Sequence, residues 1–241
     1  EFRSSSGLSF RYNGQKDPGE TWKGVFDHHS MHLKYRGNGN LKELIIGDYQ
    51  VNFGQGLSLW SGSNFQATGL GASFVQFGNG PQAYAGNDEQ RFFRGISGRY
   101  DFGKIEGYGF YSYRLLDARE TDLGLKVSNG GYARTEEERH RKNRLPLSSY
   151  GFSLAYKGET FDLQLIHHQH HLKGGINSEN RTWQNLKLET SNYRQTSLHI
   201  QYLWEGFFLV SECTLDQNLK SAGYFSWQKT WRDKFRLQQH L

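Results

Sequence analysis

The chain has 241 residues, enough for one large domain or two small ones, and carries a formal net charge of 29 − 24 = +5. A hydrophobic fraction of 35% is low for a soluble core of this size, while 15% aromatic residues exclude a disordered chain. No stretch approaches the roughly 20 apolar residues of a membrane helix; the best apolar run is Leu44-Ile45-Ile46, so a helical membrane protein is excluded and a strand-built one is not.

From the start of the chain, Leu8, Phe10 and Tyr12 alternate with Ser9, Arg11 and Asn13, which predicts a strand. Asp17-Pro18-Gly19-Glu20 breaks it, and Met31, Leu33 and Tyr35 mark a second strand. Gly37-Asn38-Gly39-Asn40 signals a turn into a third strand over about 41–53. There Tyr49, Val51 and Phe53 share one face and Asp48, Gln50 and Asn52 the other.

Residues 54–90 lose the alternation, and 54–86 carry no charge. An exposed loop normally carries charge, so this insert is expected to fold into the interior of the domain or line its mouth. Alternation returns around Ile96 to Phe102, and a tight turn at Gly103 leads into a strand from Ile105 to Leu115. A charged connection over 116–148 follows, then strands near 149–157 and 160–171 that pair through Gly158. After a polar loop over 172–192, Leu198, Ile200 and Tyr202 pair through Glu205-Gly206 with the strand from Phe207 to Leu215. A tenth strand is expected near 222–231, and the residues after it show no obvious strand.

These ten strands are joined by short connections after the fourth, sixth and eighth and long ones after the fifth, seventh and ninth. Alternate short turns and long loops are the rhythm of a transmembrane β-barrel, whose strands of about 9–11 residues cross the bilayer tilted. The low mean hydropathy of −0.79 fits, because only every second residue of such a strand faces lipid. The expectation is an all-β, antiparallel transmembrane β-barrel spanning 1–241 as part of a larger barrel, with 54–90 as a plug or constriction. Further strands or a partner would complete it, since an open sheet edge is untenable in lipid. The alternative is a surface β-sandwich or barrel that recognises glycan through exposed aromatics.

Under the barrel reading, the location is the bacterial outer membrane and the role is porin-like transport or membership of an envelope complex. Its partners are lipid, lipopolysaccharide and other envelope proteins. The lumen or constriction candidates are Asp48, Gln50, Asn52, Gln55, Trp60, Arg99 and Asp101. Gly54-Gln55-Gly56 lacks the Lys-Ser/Thr of a nucleotide loop and reads as a strand end turning sharply inward. His168 and His170 share one strand face, as do His28 and His32, and histidines at i and i+2 can chelate Zn²⁺. No Cys accompanies them, and no cofactor is expected. In 134–144 the acidic-then-basic order suits a short helix with Glu137–Arg141 and Glu138–Lys142 pairs. Ser, His and Asp are abundant, but no spacing singles out a catalytic trio, so no enzyme is expected; an outer-membrane hydrolase is the third reading.

The run Gly47-Asp48-Tyr49-Gln50, then Phe53-Gly54-Gln55-Gly56-Leu57, then Trp60, resembles the signature of a family of Bacteroidota proteins. These carry a helix-hairpin-helix region, similar to competence DNA-binding proteins, ahead of an outer-membrane barrel. Gly131-Tyr132, Arg134-Thr135, Glu137 and the strand pair from Tyr150 to Leu165 resemble the same pattern, so the likeness covers roughly 17–170. The chain departs from it at Asn64-Phe65-Gln66-Ala67, where the family carries a Phe-Gly-Lys element, and the 241 residues contain no helix-hairpin-helix region. The resemblance implies the barrel fold, the outer membrane and a link to DNA uptake, with nucleic acid as a partner that no residue of this chain supports directly.

Overall fold

The computed structural model describes residues 1–15, 28–62, 76, 78–88, 90–121, 124–127, 135–173, 191–231 and 235–240. Its strands are β1 (Phe2–Arg3), β2 (Leu8–Gln15), β3 (His28–Arg36), β4 (Leu41–Asn52), β5 (Gly80–Ala83), β6 (Phe93–Asp101), β7 (Ile105–Leu116), β8 (Ala118–Thr121) and β9 (Gly124–Val127). After helix α1 (Glu136–Arg141) come β10 (Leu145–Lys157), β11 (Phe161–Leu172), β12 (Asn192–Trp204), β13 (Phe207–Asp216), β14 (Ser221–Trp231) and β15 (Phe235–His240). The fold is all-β and antiparallel: twelve strands form one path in the order β1-β2-β3-β4-β6-β7-β10-β11-β12-β13-β14-β15, with β5 on β4 and β8-β9 as a separate hairpin. Among the described residues no pairing joins β15 to β1.

The ten expected strands correspond to β2, β3, β4, β6, β7 and β10 to β14. The tail is a strand after all, since β15 pairs with β14 from Trp231↔Phe235 to Ser226↔His240. The connection after β13 is short, not long. Asp216 Oδ1 accepts the N–H groups of Asn218 and Lys220, each at 2.8 Å, and Leu219 takes a left-handed φ of 60°. That closes a tight hairpin. In α1, Glu137 pairs with Arg141 at 3.3 Å, but Glu138 turns back to the N–H of its N-cap residue, Thr135, in a capping box.

One face of the sheet exposes a broad set of apolar side chains: Leu8, Phe10, Leu33, Ile96, Tyr111, Phe152, Leu165 and Leu198 recur strand after strand. The other face buries polar ones: Ser30, His32, Ser97, Ser112, Ser149, Ser153, His168, Ser197, His199 and Glu212. The small serines let the chain that follows β4 approach this second face. A cluster of Ile45, Tyr49, Val51, Phe53, Leu59, Phe93, Phe110 and Ile166 ties β4, β6, β7, β11 and that chain together. The sheet therefore curls around the insert, as a barrel wall does.

Candidate functional site

The site begins where β4 leaves the wall. Gly47 has φ +109°, and a Cβ there would stand 2.4 Å from the Met31 carbonyl oxygen, so the position admits only glycine. The β3–β4 ladder ends at His32↔Gly47 and the β4–β6 ladder at Tyr49↔Phe93. Beyond them β4 pairs with β5, from Tyr49↔Ala83 to Asn52↔Gly80. Asp48 and Arg94 bridge the resulting gap. The buried Asp48 carboxylate accepts the Met31 N–H at 3.1 Å and the Arg94 guanidinium at 2.6 and 2.9 Å. Arg94 donates onward to the His29 carbonyl at 2.6 Å, so the pair links β3 to β6 across the departing strand.

Asp48 is thus a staple in the wall rather than a side chain facing an open lumen. The reversal is general for β4: Tyr49, Val51 and Phe53 point inward, where Phe93, Phe110 and Ile166 of the wall and Leu59 of the insert supply apolar partners. Gln50 and Asn52 on the other face hold the insert itself. Gln50 Nε2 donates to the Arg91 carbonyl at 2.9 Å, and Asn52 Oδ1 accepts from Ser61 and Gly62 at 3.1 and 2.9 Å. Trp60 forms an isolated bridge with Asn52.

Gln55 reaches the far wall. Its N–H donates to Glu212 Oε2 on β13 at 2.5 Å, and its amide Nε2 lies 3.2 Å from His199 Nε2 on β12. Ser197 Oγ donates to the other Glu212 oxygen at 2.7 Å. Strand β13 stands six places from β4 in the sheet, about 29 Å along it, so the insert crosses the concave side to reach Glu212. Gly54 makes this approach sterically feasible: its φ is +54°, and a Cβ would stand 2.6 Å from Glu212 Oε2. Gln76 closes the loop, its N–H donating to Gln55 Oε1 at 2.9 Å and its carbonyl accepting from Gln55 Nε2 at 2.6 Å. Residues 63–75, 77 and 89 of the insert lie outside the described residues, as do Gly131, Tyr132 and Arg134.

Arg99 sits nearer the short-turn end, donating to Glu106 at 2.5 Å. Asp101 belongs to the β6–β7 turn, where it accepts the Gly103 N–H at 2.7 Å and pairs with Lys42 at 3.2 Å. The structure does not bring these two to Gln55.

His168 and His170 bond to each other at 3.1 Å, with His170 also on Ser149 Oγ at 2.8 Å. His32 lies elsewhere and donates from Nδ1 to the Tyr84 carbonyl at 2.8 Å. The side chain of His28 lies outside the described residues, among which no group of three or more His, Cys, Asp and Glu converges as a metal site would require. In the insert, burial pushes the Tyr84 hydroxyl up from its ordinary value, and that hydroxyl accepts the Asp88 N–H at 2.7 Å.

Sequence reading missed Glu212, Ser197, His199 and Arg94. A signal for the first was present: Glu212 is a carboxylate in the middle of a strand, in phase with Val210 and Thr214 and opposite Leu209 and Leu215.

No protein-family model matches the chain, and no curated protein does. Among solved structures it is similar to OmpTdeltaL8, a loop L8 deletion mutant of OmpT, an outer membrane protein of Vibrio cholerae. The two are 10% identical over 88% of this chain and 72% of that chain, with a TM-score of 0.31. A likeness this slight carries no argument about function.

Proposed function

We propose that this chain is the wall of an outer-membrane β-barrel whose lumen is occupied by its own insert, serving transport or an envelope complex. One observation carries the reading: the outward face is apolar strand after strand, while the inward face mixes buried serines, histidines and Glu212 with an apolar cluster, which is not the polar-out pattern of a water-soluble domain. A contiguous exposed apolar surface over so many strands needs a covering phase, and lipid supplies it. The lumen reading is supported by the Gln55–Glu212 contact, which ties the insert to the wall opposite its origin. The DNA-uptake role implied by the resemblance to the helix-hairpin-helix family belongs to this proposal as its finer form; the motif residues 47–60 carry the resemblance, and no residue of this chain supports the DNA role directly.

The test is extraction and conductance. The protein should enter detergent micelles and be insoluble without them, and in planar bilayers the wild type should conduct weakly. Glu212→Ala, which removes the far anchor of the insert, should raise mean conductance or opening frequency several-fold. A chain that is monomeric in plain buffer overturns the membrane reading. An unchanged conductance in a folded Glu212→Ala protein overturns the plug.

A further inference from the structure

The rim of the wall is notched where β4 departs. The last β6–β7 pair is Gly95↔Ser112, whereas β7 and β10 stay paired up to Leu116↔Leu145. The wall therefore stands four residues higher on one side of β6, about 13 Å of strand. A cavity of about 730 Å³ fills this notch, within the range of small-ligand sites. Its lining combines Tyr113 and Leu115 from the exposed apolar face with Phe93, Leu147 and His170 from the interior face. It thus touches residues of both faces of the wall.

The charge there is uneven. Arg91, Arg94, Arg114 and Lys142 line the cavity against a single lining carboxylate, Asp117. Asp48 and Asp88 stand behind two of the arginines, with Asp88 on Arg91 at 3.1 Å, which leaves four cations to three carboxylates. Asp117 is itself engaged, accepting the Asn143 N–H at 2.9 Å. Arg114 is fixed over the Phe92 ring at 4.2 Å and donates to the Gln90 and Phe92 carbonyls at 2.8 and 2.6 Å. A cationic patch on a rigid support thus adjoins the apolar wall of Phe93, Leu115, Leu116 and Leu147.

We propose that this notch binds an amphipathic anion, with a phosphate or carboxylate head on the arginines and Lys142 and an alkyl chain along the apolar wall. The molecule enters sideways from the membrane surface, which rests on the membrane reading above. A small hydrophilic ion leaves the apolar wall unused, and an uncharged alkane leaves the cations unused.

The test uses the whole chain in neutral maltoside micelles, titrated with dodecyl phosphate, dodecanol and inorganic phosphate. Dodecyl phosphate should bind at least about tenfold more tightly than either of the others, the effect of burying two or more methylenes beside a recognised head group. The Arg91→Glu/Lys142→Glu pair should weaken it by a similar factor while β-sheet circular dichroism is retained. Equal binding of inorganic phosphate or of dodecanol overturns the proposal, as does indifference to the charge reversal. If the pair fails to fold, the three-ligand comparison on the wild type still decides.

Two membrane arms distinguish the source. If the ligand is a membrane lipid, discs of phosphatidic acid should abolish binding of added dodecyl phosphate while phosphatidylcholine discs preserve it. Retention in both supports a free amphiphile. Solubility without detergent sinks the membrane reading alone, because the three-ligand titration can be run on such a protein too.

Discussion

Glu212 shows how one residue can hold a long segment in place. Two donors converge on it, the Gln55 N–H and the Ser197 hydroxyl, from chain positions far apart. Truncation to Ala leaves both buried donors without an acceptor, and an unsatisfied buried group costs about 1–3 kcal/mol. Glu212→Ala should therefore lower the urea midpoint of the folded, detergent-bound protein measurably. Glu212→Gln, which keeps one acceptor oxygen, should fall between Ala and wild type. Gly54→Ala should mimic the Ala variant without touching the carboxylate, because its Cβ would stand 2.6 Å from Glu212 Oε2 on a backbone that disfavours side chains. If Gly54→Ala unfolds at the wild-type urea concentration, the close approach of insert and wall is not what holds them. Gln55 was legible as a candidate, being a polar residue between two glycines at a strand end. Its partner was not, because strand alternation tells which face Glu212 takes and says nothing of what packs across the sheet to meet it.

At the scale of the element, the departure of β4 from the wall depends on glycine. Gly47 and Gly95 both sit at positive φ, and a Cβ on either would collide with a backbone carbonyl, Met31 at 2.4 Å or Tyr111 at 2.2 Å. Gly47→Ala should prevent the strand from turning inward, costing on the order of 2 kcal/mol from backbone strain alone, and should reduce the heat-modifiable, folded band in electrophoresis. Asp48→Ala should reduce it too, by about 2 kcal/mol, since the Met31 N–H loses its acceptor and the half-exposed Arg94 its counter-ion. Asp48→Asn, which keeps an acceptor for Met31, should be milder; an Asn variant as damaged as Ala would show that charge rather than hydrogen bonding closes the gap. The alternation of β4 was plain in the sequence, but its inward face was misassigned. Period-two patterning separates Tyr49, Val51 and Phe53 from Asp48, Gln50 and Asn52. Which set meets the interior depends on whether that interior holds water or apolar side chains from the facing strands and insert, such as Phe93, Phe110, Ile166 and Leu59. The four-residue strands β5, β8 and β9 are too short to show a period, and β5 carries Pro81, which cannot donate to a ladder.

For the whole molecule, the apolar outward face makes a prediction that separates a bilayer from water. Leu198 lies at the midpoint of β12, between Leu165 and Cys213 on the neighbouring strands, and is 42% exposed. In a water-soluble sandwich, replacing so exposed a leucine with arginine changes stability by no more than about 0.5 kcal/mol. In a barrel wall the same position faces the bilayer midplane, where arginine costs about 2–4 kcal/mol. The penalty should fade along the strand: arginine at Trp204, beside the short turn at residues 205–206, should cost about 0–1 kcal/mol because its charge reaches the interface. Urea unfolding of both variants from lipid vesicles measures the difference directly. A midpoint shift for Leu198→Arg that greatly exceeds the shift for Trp204→Arg is the signature of a hydrocarbon slab with a centre. Equal small shifts would mean water on both, and the apolar face would then have to be covered by protein.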